Sequence, residues 1–203
     1  MHGTYKIGDF WANIPNNEHW QLCQTCNTTE TMEHILTRCI SRPPQIIWSL
    51  AKNLWPHDEH KWPTISLGTI LGIGSFEVKG SAAPQNDGNT PTDQGATRLL
   101  HILISESAHL IWVLRCDRVI NDASHHDNEI KARWYKAINT RLTDDQIIAT
   151  KIKRTKGLTN LVVNTWEQVI KRYEDVPNEW LHSSSEVLVG IGPRGLLRGD
   201  HVP

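Results

Sequence analysis

Apolar positions recur at helical spacing through the second half of the chain. Leu100, Ile104, Ala108, Ile111 and Val119 fall near one face of a helix over residues 97–122. Leu103, Leu110 and Leu114 widen that face until apolar groups nearly surround the helix centre. A helix of this kind belongs in a core or against a protein partner. Ile130, Trp134, Ala137 and Ile138 predict a second helix over 127–142. Thr143, followed by Asp144 and Asp145, reads as a cap with acids in the first turn of a third helix over 144–154. Leu161, Val162, Thr165, Trp166, Val169 and Tyr173 give a fourth over about 159–174. Near the other end, Ile46, Ile47, Leu50 and Leu54 form a stripe after Pro43-Pro44, with Trp48 and Trp55 beside it.

Between these patterned stretches the chain changes character. Residues 56–75 mix turn formers with a short Leu/Ile run, which predicts a loop with one packed turn or strand. Residues 76–96 are rich in Gly, Pro, Asn, Asp and Thr and read as a flexible linker. Residues 175–203 are mixed and end in a Gly- and Pro-rich run, which predicts a disordered tail. No internal repeat is visible. The apolar stretches 99–104 and 110–114 are interrupted by His101 and by Ser105-Glu106-Ser107, which excludes an uninterrupted membrane span. The first residues, MHGTYKIGDF, lack the apolar segment of a secretory signal. The expectation is an intracellular, unsecreted protein with no membrane association.

The cysteines change the picture of the N-terminal part. Three of the four, Cys23, Cys26 and Cys39, share a 17-residue window with His34 in the pattern C-x2-C-x7-H-x4-C. Without a secretion signal this arrangement points to a metal site over a disulfide framework. Two thiolates two residues apart can grip one ion from a tight turn, and a His and a third thiolate complete a tetrahedron. The segment between suits a helix: Thr28 or Thr29 can cap it, Glu30 lies in its first turn, and Met32, Ile35 and Leu36 supply an apolar stripe. His34 and Cys39, five positions apart, differ by roughly 140° on a regular helix, so Cys39 is expected at or past the helix end. Cys116, in LIWVLRCDRVI, reads as a core residue. One structural Zn2+ is the expected cofactor. Four protein ligands would close its coordination sphere and leave no position for a reactive water.

The run GDFWANIPNNEHWQLCQTCNTTETMEHILTRCISRPPQIIWSL resembles the zinc-binding region at the C-terminal end of reverse transcriptases from non-LTR, LINE-like retrotransposons, in particular fungal elements. The residues that carry the resemblance are Trp11, Cys23, Cys26, the Glu-Thr-Met-Glu-His-Ile-Leu stretch, Cys39 and Trp48. It covers about Gly8 to Trp55; the later IWVLRCDRVI is loosely similar to segments downstream in such elements. The resemblance implies an accessory module that binds RNA or DNA without strong sequence preference, and a nuclear address.

The polymerase that such a resemblance places upstream is not in this chain. Its catalysis needs paired aspartates at a strand turn. The one Asp-Asp pair, Asp144-Asp145, sits in a helical pattern. His57-Asp58-Glu59-His60 has the wrong spacing for a metalloprotease helix, and the glycines of LGTILGIGS lack the Lys-Ser/Thr of a phosphate loop. No catalytic residues, no small-molecule substrate and no enzymatic activity are therefore expected.

Net charge is −1, so any polyanion must be met by a local patch. Residues 131–156 carry eight basic against two acidic side chains, while residues 76–130 carry four against eight. Candidate phosphate contacts are Lys151, Lys153, Arg154 and Lys156, together with Arg38 and Arg42 beside the cysteine cluster. Of the nine tryptophans, Trp48, Trp112, Trp134 and Trp166 lie on apolar stripes, whereas Trp11 and Trp20 are candidates for stacking on bases. The expected architecture is mainly α. A zinc-stabilised unit (1–55) and a loop (56–75) precede a linker (76–96), a helical region (97–174) and a tail (175–203). The rival expectation is a zinc-stabilised helical interaction module that uses helix 97–122 to bind a protein and has no nucleic-acid role.

Overall fold

A computed structural model describes residues 5–80, 90–151, 156–170, 180–182 and 188–190. The protein is mainly helical. Five helices are α1 (Arg42–Leu54), α2 (Leu67–Leu71), α3 (Gln94–Asn121), α4 (Asp127–Lys151) and α5 (Lys156–Trp166). Among the described residues extended backbone pairs only as isolated bridges, Leu22 with Thr29, Lys79 with Thr92 and Ile170 with Val189.

The chain gathers into two compact units. One comprises Met1–Ala51, Pro63–Ser75 and Ile104–Trp134; the other comprises Lys52–Trp62, Phe76–Leu103 and Tyr135–Pro203. Both draw on α3 and α4, so the units interleave along the sequence.

In the first unit, α1 begins with Pro43-Pro44 in its first turn, where the missing N–H groups have no intrahelical partner to lose. Ile47, Leu50 and Ala51 of α1 are buried, as are Ile35 and Leu36 before it. Ile104, Ala108, Leu110, Ile111 and Leu114 of α3 are buried too, as are Ile130 and Trp134 of α4. The indole of Trp134, fully buried, donates to the Ser107 hydroxyl at 2.9 Å, which satisfies two polar groups in the core. Residues 56–75 divide between the units: the 3-10 turn Glu59–Lys61 belongs to the other unit, while the short helix α2 capped by Ser66 and a second 3-10 turn, Ile73–Ser75, belong to this one. No strand forms there.

In the second unit, Leu99, Leu100, Ile102 and Leu103 of α3 are all buried. Neighbouring positions buried on every side explain why an apolar stripe nearly surrounds this helix. By length and composition α3 is apolar enough to cross a membrane, but 61% of its most apolar window is buried inside the protein. Close approach to α5 requires Gly95: a Cβ there would lie 2.6 Å from the Asn164 carbonyl oxygen.

Four sequence expectations need correcting. Thr143 does not cap a helix. Its hydroxyl donates to the Asn139 carbonyl at 3.0 Å inside the single helix α4, which runs through the expected break. The reason is the stripe of Ile130, Trp134, Ile138, Leu142, Asp145 and Ala149, buried along its whole length. Asp145 holds a stripe position because its carboxylate is fully paired. Arg98 reaches it with two bonds of 2.6 and 2.7 Å, and the Trp166 indole donates at 2.6 Å. The last helix ends at Trp166, earlier than expected, and Tyr173 lies outside the described residues. Within 76–96, both ends are ordered: Val78 is buried, Lys79 pairs with Thr92, and α3 already starts at Gln94. Cys116 is half-buried on α3 and not a full core residue.

Candidate metal centre

The first unit builds its site from a tight turn and an unusual helix. The bridge between Leu22 and Thr29 closes a loop that carries Cys23 and Cys26. Cys23 N–H donates to the Thr28 carbonyl and Asn27 N–H to the Cys23 carbonyl, both at 2.8 Å. Asn27 takes φ +52°, a left-handed conformation that Asn tolerates better than most residues. The loop is seated on its neighbour by Gly8. At φ +52° this glycine brings its backbone so close to Glu30 that a Cβ would lie 2.5 Å from the Glu30 carbonyl oxygen.

His34 follows on a short helix whose start is capped by Thr31, not by Thr28 or Thr29: the Thr31 hydroxyl accepts from His34 N–H at 3.0 Å. From His34 to Arg38 the backbone widens into a π-helical turn, and Cys39 N–H donates to the His34 carbonyl at 2.7 Å. This i→i+5 bond brings Cys39 back over His34, which a regular α-helix does not do. Cys39 itself is extended (φ −67°, ψ 127°), past the helix end as its spacing required.

The result is a cluster. The ligand atoms of Cys23, Cys26, His34 and Cys39 all lie within 4.8 Å of one another. Cys39 Sγ is 3.7 Å from Cys23 Sγ and 3.8 Å from Cys26 Sγ. Two sulfurs, each about 2.3 Å from one ion at a tetrahedral angle, stand about 3.8 Å apart. His34 Nε2 is buried with no hydrogen-bond partner among the described residues, while its Nδ1 lies 3.4 Å from the Thr28 hydroxyl. A nitrogen left free on one side and held on the other suits a metal-binding imidazole. Ser41 Oγ, 3.1 Å from Cys39 Sγ, is placed to support the thiolate. Sulfur distances, orphaned nitrogen and donor set together make this group able to hold a metal ion.

Protons distribute unevenly over the thiols. Burial pushes the Cys23 thiol up, but the adjacent His34 ring and hydrogen bonds from the Cys26 and Thr25 backbone outweigh it and bring it down to about 7. Burial, with the neighbouring Cys23 charge, pushes Cys39 up to about 11 against the pull of Ser41. One thiolate thus forms readily, and a bound cation would draw off the remaining protons.

Sequence reasoning missed what holds this region to α3. Glu30, expected in the first turn of a helix, precedes that helix and is 2% exposed. Its carboxylate accepts from Arg115 Nε at 2.8 Å and from Arg118 Nη2 at 3.0 Å. Arg115 is itself buried and lies over the Trp112 ring, 5.5 Å from its centroid. These partners are 85 and 88 positions away in the chain, beyond any local signal.

No family model matches this chain, and no curated protein or solved structure matches it.

The remaining site candidates are placed as follows. Arg38 and Arg42 are exposed and each engages a carboxylate, Glu33 at 2.7 Å and Asp127. The Arg42 guanidinium holds the Asp127 carboxyl below the ordinary range. Lys151 and Lys156 are exposed and belong to the other unit. Lys153 and Arg154 lie outside the described residues. Trp11 and Trp20 are half-buried and meet edge to face at 4.6 Å, with Phe10 and His19 extending the aromatic group.

Proposed function

We propose that this protein is a zinc-stabilised accessory module of the kind its sequence resembles, a retrotransposon reverse-transcriptase tail that holds RNA or DNA and performs no catalysis itself. The observation that carries the metal half is the convergence of three sulfurs and one imidazole within 4.8 Å. Zinc accounts for this donor set best, since Cys3His is a common structural combination for it. A structural ion also suits the size of the unit. Its N-terminal part has few buried apolar groups of its own, and metal binding supplies folding free energy, about 10–16 kcal/mol for zinc-finger peptides at neutral pH.

The nucleic-acid half rests on the resemblance and on surface chemistry. Arg38 and Arg42 sit in exposed ion pairs, which are worth about 0–1 kcal/mol and are readily exchanged for phosphates. The aromatic group around Trp11 and Trp20 offers partly exposed ring surface for stacking. Binding of this kind is led by the backbone and depends on salt.

Two measurements test the reading. Metal analysis of the purified chain should give about one zinc per molecule, lost in Cys26→Ser together with part of the helicity by circular dichroism and a lower urea midpoint. Titration with single-stranded RNA and DNA should show a steep salt slope that flattens when Lys151, Lys153 and Arg154 are replaced. Absence of binding at about 50 mM salt, where phosphate contacts are strongest, overturns the nucleic-acid half. Zinc-free protein that unfolds at the same urea midpoint as the zinc-loaded chain overturns the other.

A further inference from the structure

Beside the metal centre, within the first unit, lies a pocket of about 360 Å3. That volume falls in the range of small-ligand sites, which combine apolar walls with a few convergent polar groups. Pro43 and Pro44 at the start of α1 and Ile111 and Leu114 on α3 supply apolar surface, and Arg115 and Arg118 line it with Glu30. Arg118 spends Nη2 on Glu30, but its Nε is buried and has no hydrogen-bond partner among the described residues. A buried donor without an acceptor is costly, so the position calls for one.

Charge narrows what that acceptor is. Two guanidinium groups face one Glu30 carboxylate, an excess of one positive charge. Asp122 lines the same pocket, Asp127 balances the charge of Arg42, and Cys39 in the wall would bring thiolate charge with a bound ion. No positive excess is left to favour a bare phosphate. A flat, neutral ring that carries acceptors on its edge fits both the Pro, Ile and Leu surface and the unpaired guanidinium donor. Among bases, guanine presents two adjacent acceptors, O6 and N7, which match a guanidinium fork; adenine puts a donor beside its N7.

We propose that this pocket takes an unstacked guanine base of a single strand, with its O6 and N7 edge on Arg118. The inference rests on the nucleic-acid reading above and adds one base-reading position to otherwise backbone-led binding.

The test uses the full zinc-loaded chain and fluorescence anisotropy at fixed salt. The probes are an all-uridine 12-mer, the same strand with one central guanine, and the same strand with 7-deazaguanine there. The guanine strand should bind about tenfold tighter than the all-uridine strand. Removing N7 should erase most of that ratio, and Arg118→Gln should bring it close to one. The 7-deazaguanine arm needs no altered protein, so a variant that folds poorly does not blunt the test. Equal affinity for all three strands overturns the guanine pocket and leaves nucleic-acid binding standing. A guanine preference that Arg118→Gln leaves intact overturns the pocket as its source. No binding to any strand at about 50 mM salt overturns both.

Discussion

Replacing Glu30 with Gln should be the most damaging near-isosteric change in the first unit. Glu30 is 2% exposed, and both of its oxygens are taken, one by Arg115 and one by Arg118. Gln keeps the shape but removes the charge and turns one acceptor into a donor that faces a guanidinium. Arg115, 6% exposed along its side chain, would then hold an uncompensated buried charge. Removing one partner of a buried ion pair costs about 3–5 kcal/mol. A native protein has about 5–15 kcal/mol in all, so the loss is about a fifth of the margin or more. For a chain of this size it corresponds to a Tm lower by about 6–20 °C. Urea unfolding of zinc-loaded protein, followed by far-ultraviolet circular dichroism, should show the midpoint fall with little change in slope. Adding Arg115→Met and Arg118→Met to Glu30→Leu should recover much of the loss, because apolar replacement of a whole buried ionic group is often neutral. A loss below about 1 kcal/mol for Glu30→Gln would refute the reasoning: a carboxylate that cheap to neutralise is open to water, not buried against α3.

Three further outcomes follow from the geometry. Thr143→Ala should leave the urea midpoint unchanged or raise it, within about 0.5 kcal/mol, since the residue is exposed inside α4; a loss near 1 kcal/mol would restore its role as a cap. Gly8→Ala should cost more than about 1 kcal/mol in the same assay, because φ +52° and a 2.5 Å approach to the Glu30 carbonyl both exclude a side chain; tolerance would show the two segments are not seated together. In chelator-treated protein, the Cys23 thiol lies at about 7 and the Cys39 thiol at about 11, against an ordinary 9.0. Between pH 7 and 9 the unfolded chain binds the extra proton at Cys23, so stability rises with pH; between 9 and 11 the folded chain keeps the proton at Cys39, so stability falls. A urea midpoint that peaks near pH 9 is expected, and one that changes monotonically from 7 to 11 contradicts these environments.

The convergence of Cys23, Cys26, His34 and Cys39 was legible in the sequence because its spacing is local: four candidate ligands within 17 residues leave few ways to arrange them. The displacement of Cys39 from the His34 face was legible too, but the means was not, since nothing in ILTR announces a π-helical turn. Helices marked by apolar stripes began near where expected, but α4 ran on to Lys151 and α5 stopped at Trp166, well short of 174. The failures share one cause. Thr143-Asp144-Asp145 has the local chemistry of a helix start, yet Arg98 and Trp166, distant in the chain, make Asp145 a buried residue of a continuous helix. Glu30 looks like a first-turn acid until α3 supplies its arginines. Val78 and Thr92 lie in a stretch whose composition suggests no structure, and Thr97 on α3 anchors it by accepting from Val78 N–H at 2.9 Å. In each case a long-range partner decided what a short window could not show.

The wide turn at His34–Arg38 acts as a ruler. What it fixes is a count of residues, since the bond from Cys39 to the His34 carbonyl closes only when four positions stand between them. Outward-facing Arg38 can change identity without moving the fourth ligand. Gaining or dropping a single residue there would swing Cys39 away from Cys23, Cys26 and His34, however conservative the letters.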